Sequence, residues 1–67
     1  MDIAVTWGQL IDIIEPEDMQ YTEANGNYYI YGSVPEKSTI YVCELDKEST
    51  SASEFEQDYK SQAVPLI

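Results

Sequence analysis

Two short runs of sequence decide the fold of this chain: NYYIY at positions 27–31 and IYVC at positions 40–43. Both runs are rich in aromatic and β-branched residues, which favour strands. Asn25-Gly26 precedes the first run and is typical of a tight hairpin turn, because both of its residues accept a positive φ. Pro35 lies between the runs, where it fits a second turn. The sequence therefore predicts three strands, from about 19 to 23, 27 to 33 and 38 to 45, joined as an antiparallel meander.

Both faces of this predicted sheet carry apolar side chains. Because side chains alternate along a strand, Tyr28 and Ile30 fall on one face, and Tyr29 and Tyr31 on the other. Along the next strand, the residues on each of the two faces are likewise aliphatic or aromatic. A sheet that is apolar on both faces is normally covered on both, and one short helix does not achieve that. We therefore expect the second face to meet another chain.

Residues 1–5 alternate loosely and are compatible with a short strand or an extended arm. The segment that follows predicts a short helix, with a strand as the alternative. Thr6 and Gln9 have the spacing of a capping box. Gly8 and the β-branched isoleucines weaken the helix, so a strand from 9 to 14 is also compatible with the pattern. Either element ends near Pro16, which disfavours helical geometry at the residue before it. The apolar stripe of the helix would be Trp7, Leu10, Ile11 and Ile14.

The C-terminal segment predicts a second helix and an extended arm. Overlapping capping boxes at Ser51 and Ser53 begin a helix from 51 to 62, in which Phe55 and Tyr59 lie one turn apart and face the sheet. The apolar tail at 63–67 is too short to fold alone and is expected to dock as an arm. The predicted fold is a small α+β domain, 1–67. Its parts are an N-terminal arm or short helix (1–18), the meander (19–45), the helix (51–62) and the tail (63–67).

The size of the chain predicts a partner. A chain of 67 residues buries only about 60% of the surface that it exposes when unfolded. It has one cysteine and no histidine, so neither an internal disulfide nor a zinc site is available to stabilise it. Association with other copies of itself, or with other proteins, is therefore expected.

The charge of the chain excludes some partners. Thirteen acidic residues and three lysines give a net charge of −10, which repels nucleic acid and anionic membranes and attracts basic proteins. No signal peptide is visible, and the longest apolar stretch is far shorter than a membrane span. We expect no contact with nucleic acid or membrane, and a soluble protein made in the cytosol.

No constellation of residues points to catalysis. Three acidic residues are clustered in each of the ranges 15–18, 44–48 and 54–58, but none of these clusters has the calcium-binding EF-hand pattern. None has a nucleophile, histidine or arginine beside it to position a substrate. Solvated loops and a capped helix are the favoured interpretation. Cys43 is expected to be a buried small apolar side chain. The chain is therefore predicted not to be an enzyme and to hold no metal or cofactor.

The aromatic residues are the candidates for contact with a partner. Buried tyrosines each need a hydrogen-bond partner for the hydroxyl, whereas tyrosines are enriched at protein interfaces. For the six tyrosines, packing in the chain's own core and contact with a partner are therefore equally supported interpretations. The predicted partner-contact residues are Trp7, Tyr29, Tyr31, Tyr41, Leu66 and Ile67. For Trp7, packing in the core is the favoured interpretation and an anchor on a partner is the alternative.

About a third of the chain resembles a known class of proteins. The strand IYVCELDK at 40–47 is followed by a polar loop and by SEFEQDYKS at 53–61. This order resembles the end of many small virion proteins of tailed bacteriophages, in which such a strand precedes an acid–Phe–Glu–x–x–Tyr–Lys helix and an extended tail. The resemblance implies a non-enzymatic structural component of a capsid, neck or tail, present in several copies in the virion. The alternative function is inhibition by mimicry of DNA, as in anti-restriction or anti-CRISPR proteins, because a charge of −10 can reproduce a row of phosphates.

Overall fold

The computed structural model describes residues 2–66 and has an α+β fold. Its five strands lie in the order β1-β4-β3-β2-β5, so the prediction of a three-stranded antiparallel meander is wrong in strand number and in strand direction. The central strands β2, β3 and β4 are antiparallel, whereas β1 and β5 join the two edges in parallel. The elements are β1 Asp2–Ala4, α1 Trp7–Ile13, β2 Met19–Ala24, β3 Asn27–Val34, β4 Thr39–Asp46, α2 Thr50–Glu54 and β5 Val64–Pro65, with single 3-10 turns at Pro16–Asp18 and Pro35–Lys37.

The hairpin between β2 and β3 forms where the sequence predicts it. Asn25 and Gly26 both have a positive φ, of 54° and 79°, and their neighbours Ala24 and Asn27 pair across the turn. These are the two positive angles that a type I′ turn requires. The turn fixes the register of β2 against β3, and so decides which side chains share a face.

The two edge strands come from the terminal arms of the chain. Val5 donates a backbone hydrogen bond to Val42 at 2.9 Å, and Leu66 donates one to Tyr21 at 2.7 Å. Each arm therefore adds backbone bonds to an edge of the meander. The loose alternation of residues 1–5 is compatible with β1, but it did not indicate that this strand joins the sheet, and the two residues of β5 show no alternation. The C-terminal arm docks on β2 of its own chain; Ile67 lies outside the described residues.

The N-terminal helix is present and the strand alternative is wrong. The Thr6 hydroxyl accepts a hydrogen bond from the backbone nitrogen of Gln9, and the Gln9 side chain accepts one from the backbone nitrogen of Thr6, at 3.2 and 3.0 Å. This reciprocal pair satisfies two free backbone donors at the helix start. Leu10 is fully buried and Ile14 almost so, which confirms the apolar stripe.

The second helix begins earlier than predicted and is not regular. Its N-cap is Ser49, whose hydroxyl accepts from the nitrogen of Ala52, and not Ser51 or Ser53. From Phe55 to Tyr59 the helix widens into a π turn, in which Lys60 donates to the carbonyl of Phe55 at 2.7 Å. The predicted continuous helix from 51 to 62 is therefore wrong in its start, in its geometry and in its end, because the helical residues end at Tyr59.

Both helices pack on the same face of the sheet. Phe55 lies at the centre of this layer, with its ring edge-to-face against Trp7, Tyr21 and Tyr28 at centroid distances of 5.3–5.9 Å. Every buried strand residue points to this side. The buried apolar residues are Trp7, Leu10, Ile14, Met19, Tyr28, Ile30, Cys43, Leu45, Ala52, Phe55 and Ala63.

Candidate functional site: the open face of the sheet

The face of the sheet opposite the helices is not covered by any element within residues 2–66, and we call it the open face. None of its strand residues is buried. A row of paired positions crosses all five strands with Tyr31 at its centre. The row is Val64, Gln20, Tyr31, Val42 and Ala4. The neighbouring open-face positions are Thr22, Tyr29, Ser33 and Ile40, with Leu66 beside them.

A shallow groove of about 460 Å³ runs over this face. Tyr31, Ile40 and Leu66 supply its apolar surface. An amide and hydroxyl groups supply its hydrogen-bonding capacity, and none of the lining residues is charged. The polar lining residues are Gln20, Thr22 and Ser33. The groove is open to solvent along its length, which suits a flat protein surface better than an enclosed small molecule.

The open face also concentrates exposed aliphatic side chains. Among residues 2–66, five large apolar side chains are well exposed, and three of them lie here: Ile40, Val64 and Leu66, at 38%, 47% and 38%. Single exposed aliphatic residues are ordinary on a soluble protein. Here these three lie on both sides of two half-exposed tyrosines, with Gln20 and Thr22 between the tyrosines and the C-terminal arm. Exposed apolar surface that is concentrated on one face marks interaction sites.

The predicted contact residues divide between the two sides of the sheet. Tyr29, Tyr31 and Leu66 lie on the open face or at its groove. Trp7 is buried in the core, where its indole nitrogen donates to Glu54 at 2.8 Å, and Tyr41 is half-buried on the helix side. We therefore leave Trp7 and Tyr41 out of the site. Ile67 lies outside the described residues.

Sequence reasoning left out of its contact set several residues that share the open face: Gln20, Thr22, Ile40, Val42 and Val64. The alternation that separates Tyr29 from Tyr28 already places Ile40 and Val42 on one side of β4. The signal for Gln20 and Thr22 was the tight Asn25-Gly26 turn, because its register aligns them with Tyr31 and Tyr29. Val64 gave no signal, because the pairing of a two-residue arm is not visible in sequence.

Exposed acids border the open face, and we call four of them the rim acids: Asp2, Glu17, Asp18 and Glu44. Glu17 and Asp18 line a hollow with Gln20, Ser33 and Val64, which places them at one end of the face. Asp2 pairs in register with Ile40 and lies near the same end. Glu44 is beside Tyr29 towards the other end and accepts a hydrogen bond from the Asn27 amide at 2.7 Å.

Negative charge is crowded at the first of these ends. A hydrogen bond with Glu17 and the charges of Glu17 and Asp18 raise the pKa of the neighbouring Glu15. The carboxylates there therefore repel one another. A cation arriving at this end would relieve that repulsion.

The lysines do not neutralise the rim acids. Lys47 and Lys60 both pair with Glu23, at 2.6 and 3.3 Å, and lower its pKa through these hydrogen bonds. Glu23 pairs in register with the buried Tyr28, so this cluster belongs to the helix side of the sheet. Lys37 is exposed in the turn Pro35–Lys37 and lines neither the groove nor the hollow beside it.

Cys43 is part of the core and not of the site. Its side chain is 1% exposed, and burial raises the pKa of its thiol to about 11. The thiol therefore stays protonated at neutral pH, where a thiol is a poor nucleophile.

Residues 2–66 contain no group of three His, Cys, Asp or Glu side chains placed to hold a metal ion. No helix in this part of the chain is long and apolar enough to cross a membrane. Comparison of the chain with protein-family models, with curated proteins and with solved structures finds no match. Its function is therefore inferred from the geometry of the open face.

Proposed function

We propose that this chain is a non-enzymatic assembly protein that works through protein–protein contact, with the open face as its contact surface. The resemblance of positions 40–47 and 53–61 to small virion proteins of tailed phages supports a contact within a capsid, neck or tail. In this proposal the neighbours of the chain are other virion proteins or other copies of itself, and the protein acts in the virion after synthesis in the host cytoplasm.

One observation carries the proposal: both helices lie on the same side of the sheet, which leaves Tyr31 and its aliphatic neighbours without cover. Burying a Val, Leu or Ile side chain is worth about 1.5–3 kcal/mol. The chain leaves Ile40, Val64 and Leu66 well exposed. A neighbour that covers these three side chains therefore recovers burial that the chain does not achieve alone.

The dimensions of the open face fit a small interface. At about 4.8 Å between strands and about 3.3 Å per residue along them, the five strands give a face of roughly 400 Å². A stable interface buries about 800 Å² on each partner. The open face alone is about half of that size, so a stable contact is expected to include the rim.

Mimicry of DNA is less well supported by the arrangement of the acids. A mimic needs a continuous row of carboxylates at the spacing of phosphates. Here Asp2, Glu17 and Asp18 lie at one end of the sheet and Glu44 and Asp46 towards the other, with the uncharged groove between them. The net charge alone supports this alternative.

A single charged substitution on the open face tests the proposal. Tyr31→Asp places a carboxylate at the centre of the contact, where desolvation of the charge opposes docking. We expect the variant to fold and its incorporation into purified phage particles to fall at least about tenfold, the effect of 1.4 kcal/mol. Quantitative peptide mass spectrometry of the particles measures the copy number of the chain.

Gln57→Asp is the matched control, because Gln57 is exposed on the helix side and the substitution adds the same charge. Incorporation of this variant is expected to equal that of the unmodified chain. Absence of the unmodified chain from purified particles would contradict the virion role. If the chain instead inhibited a DNA-cleaving enzyme with its carboxylates, and Tyr31→Asp left that inhibition intact, mimicry would replace the proposal.

A further inference from the structure

The charges around the open face distinguish between two possible occupants, a second copy of this chain and a different protein. The centre of the face is uncharged, and the rim carries Asp2, Glu17, Asp18 and Glu44. Of the three lysines, two are held by Glu23 on the helix side. A face with an apolar centre and a rim of uniformly negative charge favours partners whose rim is positively charged.

A second copy meets this face with the wrong charge. Two sheets that pack face to face bring each end of one sheet near an end of the other. Because acids lie at both ends, acids then face acids whichever way the second copy is turned. Like charges placed opposite each other across an interface oppose association. The charge of −10 on each copy adds a longer-range repulsion.

We propose that the open face docks on a different protein, whose contact surface has a flat apolar centre and a border of lysine or arginine. This inference rests on the proposed function and names the chemistry of the partner. Tyr31, Ile40 and Leu66 supply the apolar contact. The rim acids supply charge pairs and accelerate the encounter. The raised pKa of Glu15 is consistent with a basic partner, because an incoming cation reduces the repulsion between crowded carboxylates.

A charge-reversed copy of the chain is a defined probe for this chemistry. Asp2→Lys, Glu17→Lys and Glu44→Lys replace three of the four rim acids by lysine and leave the groove unchanged, so the net charge rises by six, from −10 to −4. All three side chains are exposed, so the fold is expected to persist. Trp7 fluorescence checks this, because its indole reports on the core.

We expect the unmodified chain to be monomeric at low ionic strength and to form a one-to-one complex with the rim-reversed probe. Light scattering gives the mass, and titration gives an affinity at least about tenfold tighter for the probe than for self-association. The affinity is expected to fall as the Debye length shortens from roughly 30 Å at 0.01 M salt to roughly 8 Å at 0.15 M. Introducing Tyr31→Asp into the unmodified chain is expected to abolish the complex.

A second probe with the same net charge is the control. Asp12→Lys, Glu56→Lys and Asp58→Lys also bring the charge to −4, but these exposed acids lie on α1 and on the π turn. This probe is expected to bind no better than an unmodified copy. Equal binding by both probes would mean that only net charge matters, and would overturn the inference.

The remaining outcomes separate this inference from the proposed function. A homodimer of the unmodified chain that is tighter than its complex with the rim-reversed probe, and that Tyr31→Asp disrupts, overturns the basic partner but keeps the open face as a contact surface. A complex with the rim-reversed probe that survives Tyr31→Asp overturns both, because the contact then lies elsewhere.

Discussion

Phe55→Ala is expected to remove about a third or more of the chain's free energy of unfolding. The Phe55 side chain is fully buried and contacts the rings of Trp7, Tyr21 and Tyr28. Removing a buried Phe costs about 3–5 kcal/mol, through lost burial and the cavity that remains. At about 0.05–0.15 kcal/mol per residue, a chain of 67 residues has roughly 3–10 kcal/mol of stability. Denaturant titration followed by Trp7 fluorescence measures the loss.

Tyr29→Ala is the matched control, because it removes an aromatic ring from the open face. Tyr29 is half-buried and belongs to the uncovered side, so its loss is expected to cost a small fraction of the Phe55 effect. If Tyr29→Ala destabilised the chain as much as Phe55→Ala, the open face would be part of the core, and the division of the sheet into a covered and an uncovered face would be wrong.

Gly32→Ala is expected to destabilise the chain by about 1–3 kcal/mol, the usual cost of overpacking a core. Gly32 lies on the helix side of β3, and a methyl group there would stand 2.5 Å from Cγ1 of Ile14. Ile14 is itself buried at the end of α1, so relief requires the helix to move away from the sheet. The midpoint of thermal unfolding is expected to fall by several degrees, at roughly 4–8 °C per kcal/mol for a chain of this size.

The same substitution at Gly8 is expected to have the opposite effect and to stabilise the chain. Gly8 is exposed in α1, and an added methyl group would meet nothing within 4 Å. Alanine in a helix is favoured over glycine by up to about 1 kcal/mol. Destabilisation by Gly8→Ala, or tolerance of Gly32→Ala, would contradict the packing of α1 against β3.

The central meander was predictable because its signals are local. The Asn25-Gly26 turn sets the register, and alternation then separates Tyr28 and Ile30 from Tyr29 and Tyr31. The capping box of Thr6 and Gln9 predicted the first helix for the same reason, since both hydrogen bonds close within four residues. The α+β class followed from these elements.

The features that define the site were not local and were therefore missed or left open. The edge strands β1 and β5 depend on pairing with residues far along the chain, at 40–42 and 20–21. Alternation showed that the sheet has two apolar faces, but not that both helices would pack on one of them. For Trp7 the sequence left both the core and a contact surface open, and it is buried because α1 places it against Phe55.

The open face as a contact surface is tested most directly by site-specific photo-cross-linking inside purified phage particles. A benzophenone amino acid is placed at position 31, at the centre of the face, and in a second variant at position 57, on the helix side. We expect position 31 to cross-link in high yield to one neighbouring virion protein, at residues bordered by lysine or arginine, and position 57 to give little product. Equal cross-linking from both positions, or cross-linking from position 57 alone, would contradict the assignment of the contact to the open face.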